Sequence, residues 1–554
     1  MAAVNVVIKH QGNKYDVEVE PSFTGEEFKE ILYSLTGVEP DRQKILVKGG
    51  QLKNDADMGK LGLKSGQQIM MLGTPSAGGG DLLRPKEKVK FVEDMTDAEV
   101  AQQEGAVPGG LQNLGNTCYL NSTLQALRAM PELQDSLVKY EGGSSALGAM
   151  SQFDVTTQLK KLYKSMSETQ QSFAPFTFIQ ALRQAYPQFA ERSRTGEGFA
   201  QQDAEEAWTN ILSQVRNSLQ VKDKDGSSTV SWVDKYMSVQ FVSKLECDEP
   251  EAKELGEQPI ESTESFLKLN CHIDAETNHL RDGILNGLKE KIEKRSEALG
   301  RDASYTKTSK ISRLPVYLTV HFVRFFWRRD TQKKAKILRK VTFPKELDIM
   351  EFCADSLKEK LIPVRDRLRE VVKDEEDIER ARKRRKTTIA AAKAEEAQPA
   401  KDKKDKKEEK KPATDGDGDT AMETYKTDAE WEEEKASALR TAKRELLSLV
   451  NQDLASDEGA NQSGLYELRG VITHQGSSAD SGHYTSYVKK PAPKDPKTGK
   501  PGEEDGNWYW FNDDSVTEVA GDKIETLSGG GESHSALILL YKAVPLPTAD
   551  EVRE

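Results

Sequence analysis

The sequence is poor in cysteine. Four cysteines, Cys118, Cys247, Cys271 and Cys353, are scattered over 554 residues, too sparse for a disulfide scaffold, so a reducing compartment is expected. Long apolar runs are also missing. The longest stretches, such as 536–541, fall far short of the ~20 residues needed to cross a bilayer. The start, Met1-Ala2-Ala3-Val4-Asn5, offers no basic segment ahead of an apolar one, so secretion and membrane insertion are not expected. Positive charge is not in excess either: 80 basic against 92 acidic residues give a net charge of −12, the wrong sign for a general nucleic-acid binder. No aromatic residue occurs from Cys353 to Thr424, and positions 373–411 hold 15 basic and 11 acidic residues. Such a composition cannot bury a core. A disordered or loosely helical charged insertion is therefore predicted over about 354–430, in which Arg382 to Lys386 is either a solvated charge run or a nuclear import signal. A second insertion occupies Lys489 to Gly506. At roughly 150 residues per domain the length allows three to four domain equivalents. The pattern divides it into a small domain over 1–75, a linker over 76–106, one interrupted domain over 107–544 and a tail over 545–554.

What is present begins with alternation. Val4, Val6 and Ile8, a turn at Gln11-Gly12-Asn13, and Tyr15, Val17 and Val19 predict a hairpin. A helix follows, with Thr24 and Glu27 at capping-box spacing, Phe28, Ile31, Leu32 and Leu35 on one face, and Gly37 where a helix stops. Short strands at 45–47 and 69–72 complete a hairpin, helix, strand, strand order, which is that of a small α+β domain.

Cys118 has the most informative neighbours in the chain: Gly110-Leu111-Gln112-Asn113-Leu114-Gly115-Asn116-Thr117-Cys118-Tyr119-Leu120-Asn121-Ser122. Leu120, Leu124 and Leu127 share a helical face and Pro131 ends the run. The thiol is thus expected at a helix N-terminus, where the dipole favours thiolate. Gly115 and Asn116 let the backbone approach a substrate closely. A cysteine nucleophile needs a base, and the base needs an orienting group. Of seven histidines, His483 follows a glycine at the start of an alternating strand, Ser481 to Val488, itself preceded by a strand-like run over 466–473. Downstream, Asn507 to Val516 places an amide, Asn512, and two carboxylates, Asp513 and Asp514, after an aromatic strand; either type can hold an imidazole through its ring N–H. In Gln201-Gln202-Asp203-Ala204-Glu205-Glu206, Asp203 and Glu206 have capping-box spacing, and Ala204, Ala207, Trp208, Ile211, Leu212 and Val215 share a helical face.

These boxes together resemble the ubiquitin-specific protease family of cysteine deubiquitinases. The cysteine box, the Gln201 to Glu206 run, the Leu318 to Pro344 stretch with Arg324-Phe325, the Gly482-His483-Tyr484 box and the Trp508 to Val516 box occur in the family's order, from about Val107 to Ala543. The run from Val4 to Gly73 resembles ubiquitin, and the combination is similar to proteasome-associated members that carry such a module. The resemblance implies an α+β chain: a β-grasp ubiquitin-like domain, then a papain-like thumb, palm and fingers. It implies Cys118 as nucleophile, His483 as base, Asn512 or its neighbour Asp513 as orienting group, and Asn113 as an oxyanion donor, with no cofactor. Gln202 and Asp203 become contacts to ubiquitin's basic tail, and Phe325, Ser477, Gly482 and Tyr484 further substrate contacts. Two loops, one after Trp327 and before strand-like Ile337 to Phe343, the other over 474–481, are implied to cover the channel and to move on docking; ordinary surface hairpins are the alternative.

Leu46, Met70 and Leu72 match ubiquitin's apolar recognition patch, which implies a docking surface for the proteasome regulatory particle; strand residues packed inside are the alternative. Leu72-Gly73-Thr74-Pro75 lacks the terminal Gly-Gly of a conjugated protein, so the module is expected to dock and not to be transferred. Partners are then ubiquitin and its conjugates and the proteasome, with no nucleic acid and no membrane, for a monomer in cytoplasm and nucleus. Family members often carry two Cys-x-x-Cys pairs in the fingers. Cys247 and Cys271 lack such partners, so no metal is expected and Cys247, Cys271 and Cys353 read as core thiols. Residues 412–554 alone sum to −14, acidity suited to a basic tail. A non-catalytic ubiquitin-binding scaffold on the proteasome, or a protease for another ubiquitin-like protein, are the rival readings.

Overall fold

The computed structural model describes residues 4–73 apart from 11, 12, 21, 37, 39, 48, 49 and 65, then 107–142, 154–193, 198–223, 226, 228–329, 333–396, 428–478, 481–493, 502–548 and 552. The predicted linker, the turn at Gln11-Gly12, Gly37, the centre of the charged insertion and the middle of the second one lie outside the described residues. The chain divides into two compact units, Met1–Val89 and Lys90–Glu554.

In the first unit the predicted alternation forms strands Val4–His10 and Asn13–Val19, paired antiparallel. The helix Gly25–Thr36 opens on a reciprocal capping box: Thr24 N donates to Glu27 Oε2 at 2.8 Å and Glu27 N to Thr24 Oγ1 at 3.3 Å. Strand Gln68–Leu72 lies between Val4–His10, to which it is parallel, and Lys44–Val47. Val6, Ile8, Phe28, Leu32, Ile45, Ile69 and Met71 form the core, each side chain stabilising the fold by about 1.5–3 kcal/mol. Leu35, predicted on the buried face, is 44% exposed in the last helical turn.

The second unit has three parts. Helices Cys118–Arg128, Val155–Glu168, Phe176–Ala185 and Ala204–Ser218 share one apolar core with Ile472, Tyr484 and Ile538 from the sheet. That sheet has eight strands in the order Leu269–His272, Tyr317–Val323, Ser535–Ala543, Leu465–Ser478, Ser481–Lys489, Trp508–Asn512, Ser515–Val519, with Glu346–Asp348 beside Leu465–Ser478. A separate four-stranded sheet, Lys289–Arg295, Asp302–Arg313, Val239–Cys247 and Ile260–Phe266, projects as the fingers. Thumb, palm and fingers are thus all present. All four cysteines are buried and free.

The described part of the charged insertion is helical, over Asp355–Glu396 and Asp428–Ser448. At its root Val364, Leu368 and Val371, spaced three and four apart, pack with Ala442 and Leu446. Lys443 pairs with Glu375 at 2.6 Å beside that seam. Over 372–384 no described residue is buried, and i,i+4 pairs such as Arg380–Glu376 at 2.9 Å add a few tenths of a kcal/mol each.

Both predicted loops differ from expectation. The strand placed over 337–343 is instead Lys333–Lys336, paired with Phe325–Arg328. The following backbone turns its carbonyls to Arg324, fully buried, which donates to Ile337 O at 3.1 Å, Arg339 O at 2.9 Å, Ala536 O at 2.8 Å and Ser528 O at 3.2 Å. Residues 474–478 are not loop but strand, because the ladder runs on through Gln475 opposite His483 to Ser478 opposite Ser481.

Candidate active site

The helix Cys118–Arg128 begins where predicted, with Leu120, Leu124 and Leu127 fully buried. The turn ahead of it is organised by one side chain. Asn113 Oδ1 accepts from Gly115 N at 3.0 Å, Thr117 N at 3.1 Å and Thr117 Oγ1 at 3.3 Å. Three donors on one oxygen fix which end of the amide points outward, so Nδ2 is presented on the other side. There it donates to Asp513 Oδ2 at 2.9 Å, leaving one N–H of the amide for an oxyanion.

The histidine strand reaches the same place from the sheet. Gly482 precedes His483 with a φ of 121°. A Cβ there would lie 2.1 Å from Gln475 O and 2.7 Å from His474 Nε2, so only glycine fits. The backbone N–H of Tyr484 meets the Cys118 sulfur, which puts the residue after His483 against the thiol. His483 Nε2 lies 2.5 Å from Asn512 Oδ1. An amide oxygen only accepts, so the proton sits on Nε2 and the lone pair of Nδ1 is kept for another partner.

Asp513, next in sequence, faces elsewhere. Its backbone has a φ of 51°; its Oδ1 accepts from Asn121 Nδ2 at 2.8 Å and its carbonyl from Leu111 N at 2.9 Å. Of the two orienting groups left open by sequence, Asn512 meets the imidazole and Asp513 meets the amides of Asn113 and Asn121. Gly110 permits this, since a Cβ there would come within 2.6 Å of Asp513 O.

Cys118 is 2% exposed. Burial pushes its thiol up to about 11; the N–H of Tyr484 pulls the other way, and the Asp513 charge adds to the rise. The lowering expected at a helix start is therefore outweighed by desolvation. His474 is fully buried one strand away, its ring 4.6 Å from that of Tyr484 and 5.3 Å from that of Phe325, and Lys336 Nζ donates to its carbonyl at 2.6 Å. Burial, with the Lys336 charge next, drives the His474 imidazole down to about 3.

Asp203 caps the helix Ala204–Ser218 by accepting from Glu205 N at 2.9 Å, while its predicted capping partner Glu206 accepts from Gln188 Nε2 at 3.3 Å. Gln202 is half-buried beside it and Ser477 is exposed. Leu46, Met70 and Leu72 are 48%, 52% and 51% exposed, between the buried Ile45, Ile69 and Met71. Among the described residues no group of three or more His, Cys, Asp and Glu side chains is arranged to hold a metal ion. Asn121 was not singled out from sequence, although its place three residues after Cys118 puts it on the adjoining helical face. Lys336 gave no signal beyond its box, and Asn116, read from sequence only as a loop residue that lets the backbone approach a substrate, donates to Phe199 O at 2.9 Å.

The family described as ubiquitin carboxyl-terminal hydrolase matches residues 109–541, and the ubiquitin family matches residues 6–76. The chain is 44% identical over 543 residues to ubiquitin carboxyl-terminal hydrolase 6 of Schizosaccharomyces pombe, covering 98% of this chain and 99% of that protein. It is 38% identical to ubiquitin carboxyl-terminal hydrolase 6 of Arabidopsis thaliana, covering 97% and 98%. With ubiquitin carboxyl-terminal hydrolase 14 of Caenorhabditis elegans it shares 31% identity, covering 98% and 94%.

Proposed function

Since this chain belongs to the ubiquitin carboxyl-terminal hydrolase family and is a cysteine-type deubiquitinase, we propose a division of labour among its residues. Cys118 attacks the carbonyl carbon of ubiquitin's terminal glycine as thiolate, after its proton passes to Nδ1 of His483. The tetrahedral oxyanion takes a hydrogen bond from Asn113 Nδ2. His483 then gives the proton to the departing lysine amine, which leaves a thioester. Water, deprotonated by His483, cleaves that thioester and restores the thiol. Asn512 holds the imidazole throughout, and as an amide it orients without adding charge. Asp513 keeps Asn113 aimed.

Gln202 and Asp203 receive the basic tail of ubiquitin, and Phe325, Ser477, Gly482 and Tyr484 line its approach. The observation that carries this reading is the His483–Asn512 pair held beside a sulfur that meets the N–H of Tyr484.

The ubiquitin-like unit docks on the proteasome regulatory particle through Leu46, Met70 and Leu72, and the enzyme trims conjugates there, in cytoplasm and nucleus, raising its local concentration as any tether does. Hydrolysis of ubiquitin carrying a C-terminal fluorogenic reporter, measured with and without added proteasome and with Cys118→Ala as control, tests the reaction. No turnover by wild type in either state sinks it. Co-sedimentation with proteasomes after deletion of residues 1–75 tests docking: undiminished co-sedimentation refutes it.

A further inference from the structure

We propose that Asn116 is a positioning residue, bridging the turn that carries the nucleophile to the segment that receives the substrate's tail. The proposal rests on the roles given above to Cys118 and to Gln202 and Asp203. Asn116 stands two residues before Cys118 with a φ of 56°, a left-handed backbone that non-glycine residues rarely adopt and asparagine tolerates best. Asp513 is the one other non-glycine residue with a positive φ among the described residues, and it is tied into the site by the amides of Asn113 and Asn121. Unfavourable backbone persists where the surroundings over-determine it.

At Asn116 the determining contact reaches to a segment distant in sequence. Its side-chain Nδ2 donates to the carbonyl of Phe199 at 2.9 Å, four residues before Asp203. Phe199 is clamped in turn. The Arg183 guanidinium lies 3.4 Å from its ring centroid and that of Arg192 4.7 Å. The backbone of Phe199 bridges antiparallel to Arg192, and Ala200 N donates to Glu191 O at 2.9 Å. Arg183 leaves the helix Phe176–Ala185 and donates to Phe189 O at 3.1 Å. The clamp is therefore rooted in the core that also buries the cysteine helix.

Two guanidinium groups on one ring repel each other; burial first, and the Arg192 charge after it, hold Arg183 below the ordinary arginine range. The aromatic face offsets that repulsion. The result is a brace that runs from helix to ring to carbonyl to amide and ends on the turn before Cys118. A tail seated at Gln202 and Asp203 acts on this brace, so occupancy of the tail site and placement of the thiol are linked.

The test uses the full chain and two electrophiles: ubiquitin with a C-terminal vinyl sulfone, which must use the tail site, and iodoacetamide, which need not. Asn116→Asp keeps the shape and the tolerance for left-handed backbone but cannot donate to a carbonyl. Asn116→Gly relaxes the backbone and removes the brace. Phe199→Leu removes the clamped ring. One hydrogen bond is worth about tenfold, so labelling of Cys118 by the ubiquitin electrophile should slow about tenfold in both Asn116 variants and less in Phe199→Leu. Iodoacetamide alkylation should stay at the wild-type value, and the melting temperature should fall by a few degrees at most. Wild-type labelling by the ubiquitin electrophile in Asn116→Asp and Asn116→Gly overturns the brace, as does a parallel slowing with both electrophiles. A wild-type chain that the ubiquitin electrophile does not label at Cys118 overturns the nucleophile assignment itself, which separates the two failures.

Discussion

The two units of this protein present function in opposite ways. In the ubiquitin-like unit the candidate surface is local: Leu46, Met70 and Leu72 lie on two adjacent strands and stand outward at about half exposure while their neighbours Ile45, Ile69 and Met71 are buried. In the catalytic unit the candidate residues are drawn from four distant stretches, around 113–121, 199–206, 483–484 and 512–513, and the central thiol is buried. A surface made to dock must be ready before its partner arrives, whereas a thiol packed into the core is shielded from solvent by the fold itself.

The sharpest way to separate the units is to remove the thiol. Cys118→Ala should lower reporter hydrolysis by about 10⁴-fold or more, the scale seen when a nucleophile is deleted, and leave proteasome co-sedimentation intact. A residual rate within a hundredfold of wild type would contradict the assignment. Next in size is Asp513→Ala. Freeing Asn113 from its carboxylate should cost about 10²-fold in kcat, the scale of a lost oxyanion donor, with KM changing far less. A variant that raised KM with kcat intact would place Asp513 in tail binding instead.

Burial of the thiol predicts a comparable effect of pH. With the thiol near 11, the iodoacetamide rate of the free protein should keep climbing, by about tenfold per pH unit, past pH 9, where an ordinary cysteine of pKa about 8.5 levels off. A plateau by pH 9 would show that the free site holds thiolate readily. The docking unit should respond on a smaller scale. The double substitution Leu46→Ala with Leu72→Ala should weaken proteasome binding by about tenfold, within the range of interface truncations, while free reporter hydrolysis stays within twofold. Unchanged binding would remove the patch from the interface.

Different in kind, because it acts on stability, is an acid effect within the catalytic unit. His474 binds its proton near 3 when folded and near 6.5 when unfolded. Between those values the unfolded chain holds more protons, so stability falls as pH drops from about 6.5, by up to about 1.4 kcal/mol per pH unit from this residue. Thermal melts of wild type and His474→Gln from pH 7 to 5 report the slope, which should flatten in the variant. Parallel slopes would mean that His474 is not the group responsible.

Much of this was legible in the chain. The alternation at Val4 to Val19, the capping box of Thr24 and Glu27, the helical face of Leu120, Leu124 and Leu127 and the strand start at His483 are local patterns, and local patterns survive without knowledge of neighbours. What failed was non-local. The predicted strand over 337–343 is irregular because Arg324 takes its carbonyls. The loop expected at 474–478 is strand because His483 and Ser481 pair across it. The dipole argument for Cys118 held for geometry, yet desolvation set the direction of its titration.

By itself the sequence determined the boxes, their order and the candidate residues for nucleophile and base, because catalytic chemistry restricts side chains and period restricts strands and helices. Only the tertiary structure divided the adjoining Asn512 and Asp513 between imidazole and amides, buried the thiol, and joined Asn116 to Phe199 across 83 residues. Hydrogen bonds act over about 3 Å, and no spacing along a chain reports which groups the fold will bring that close.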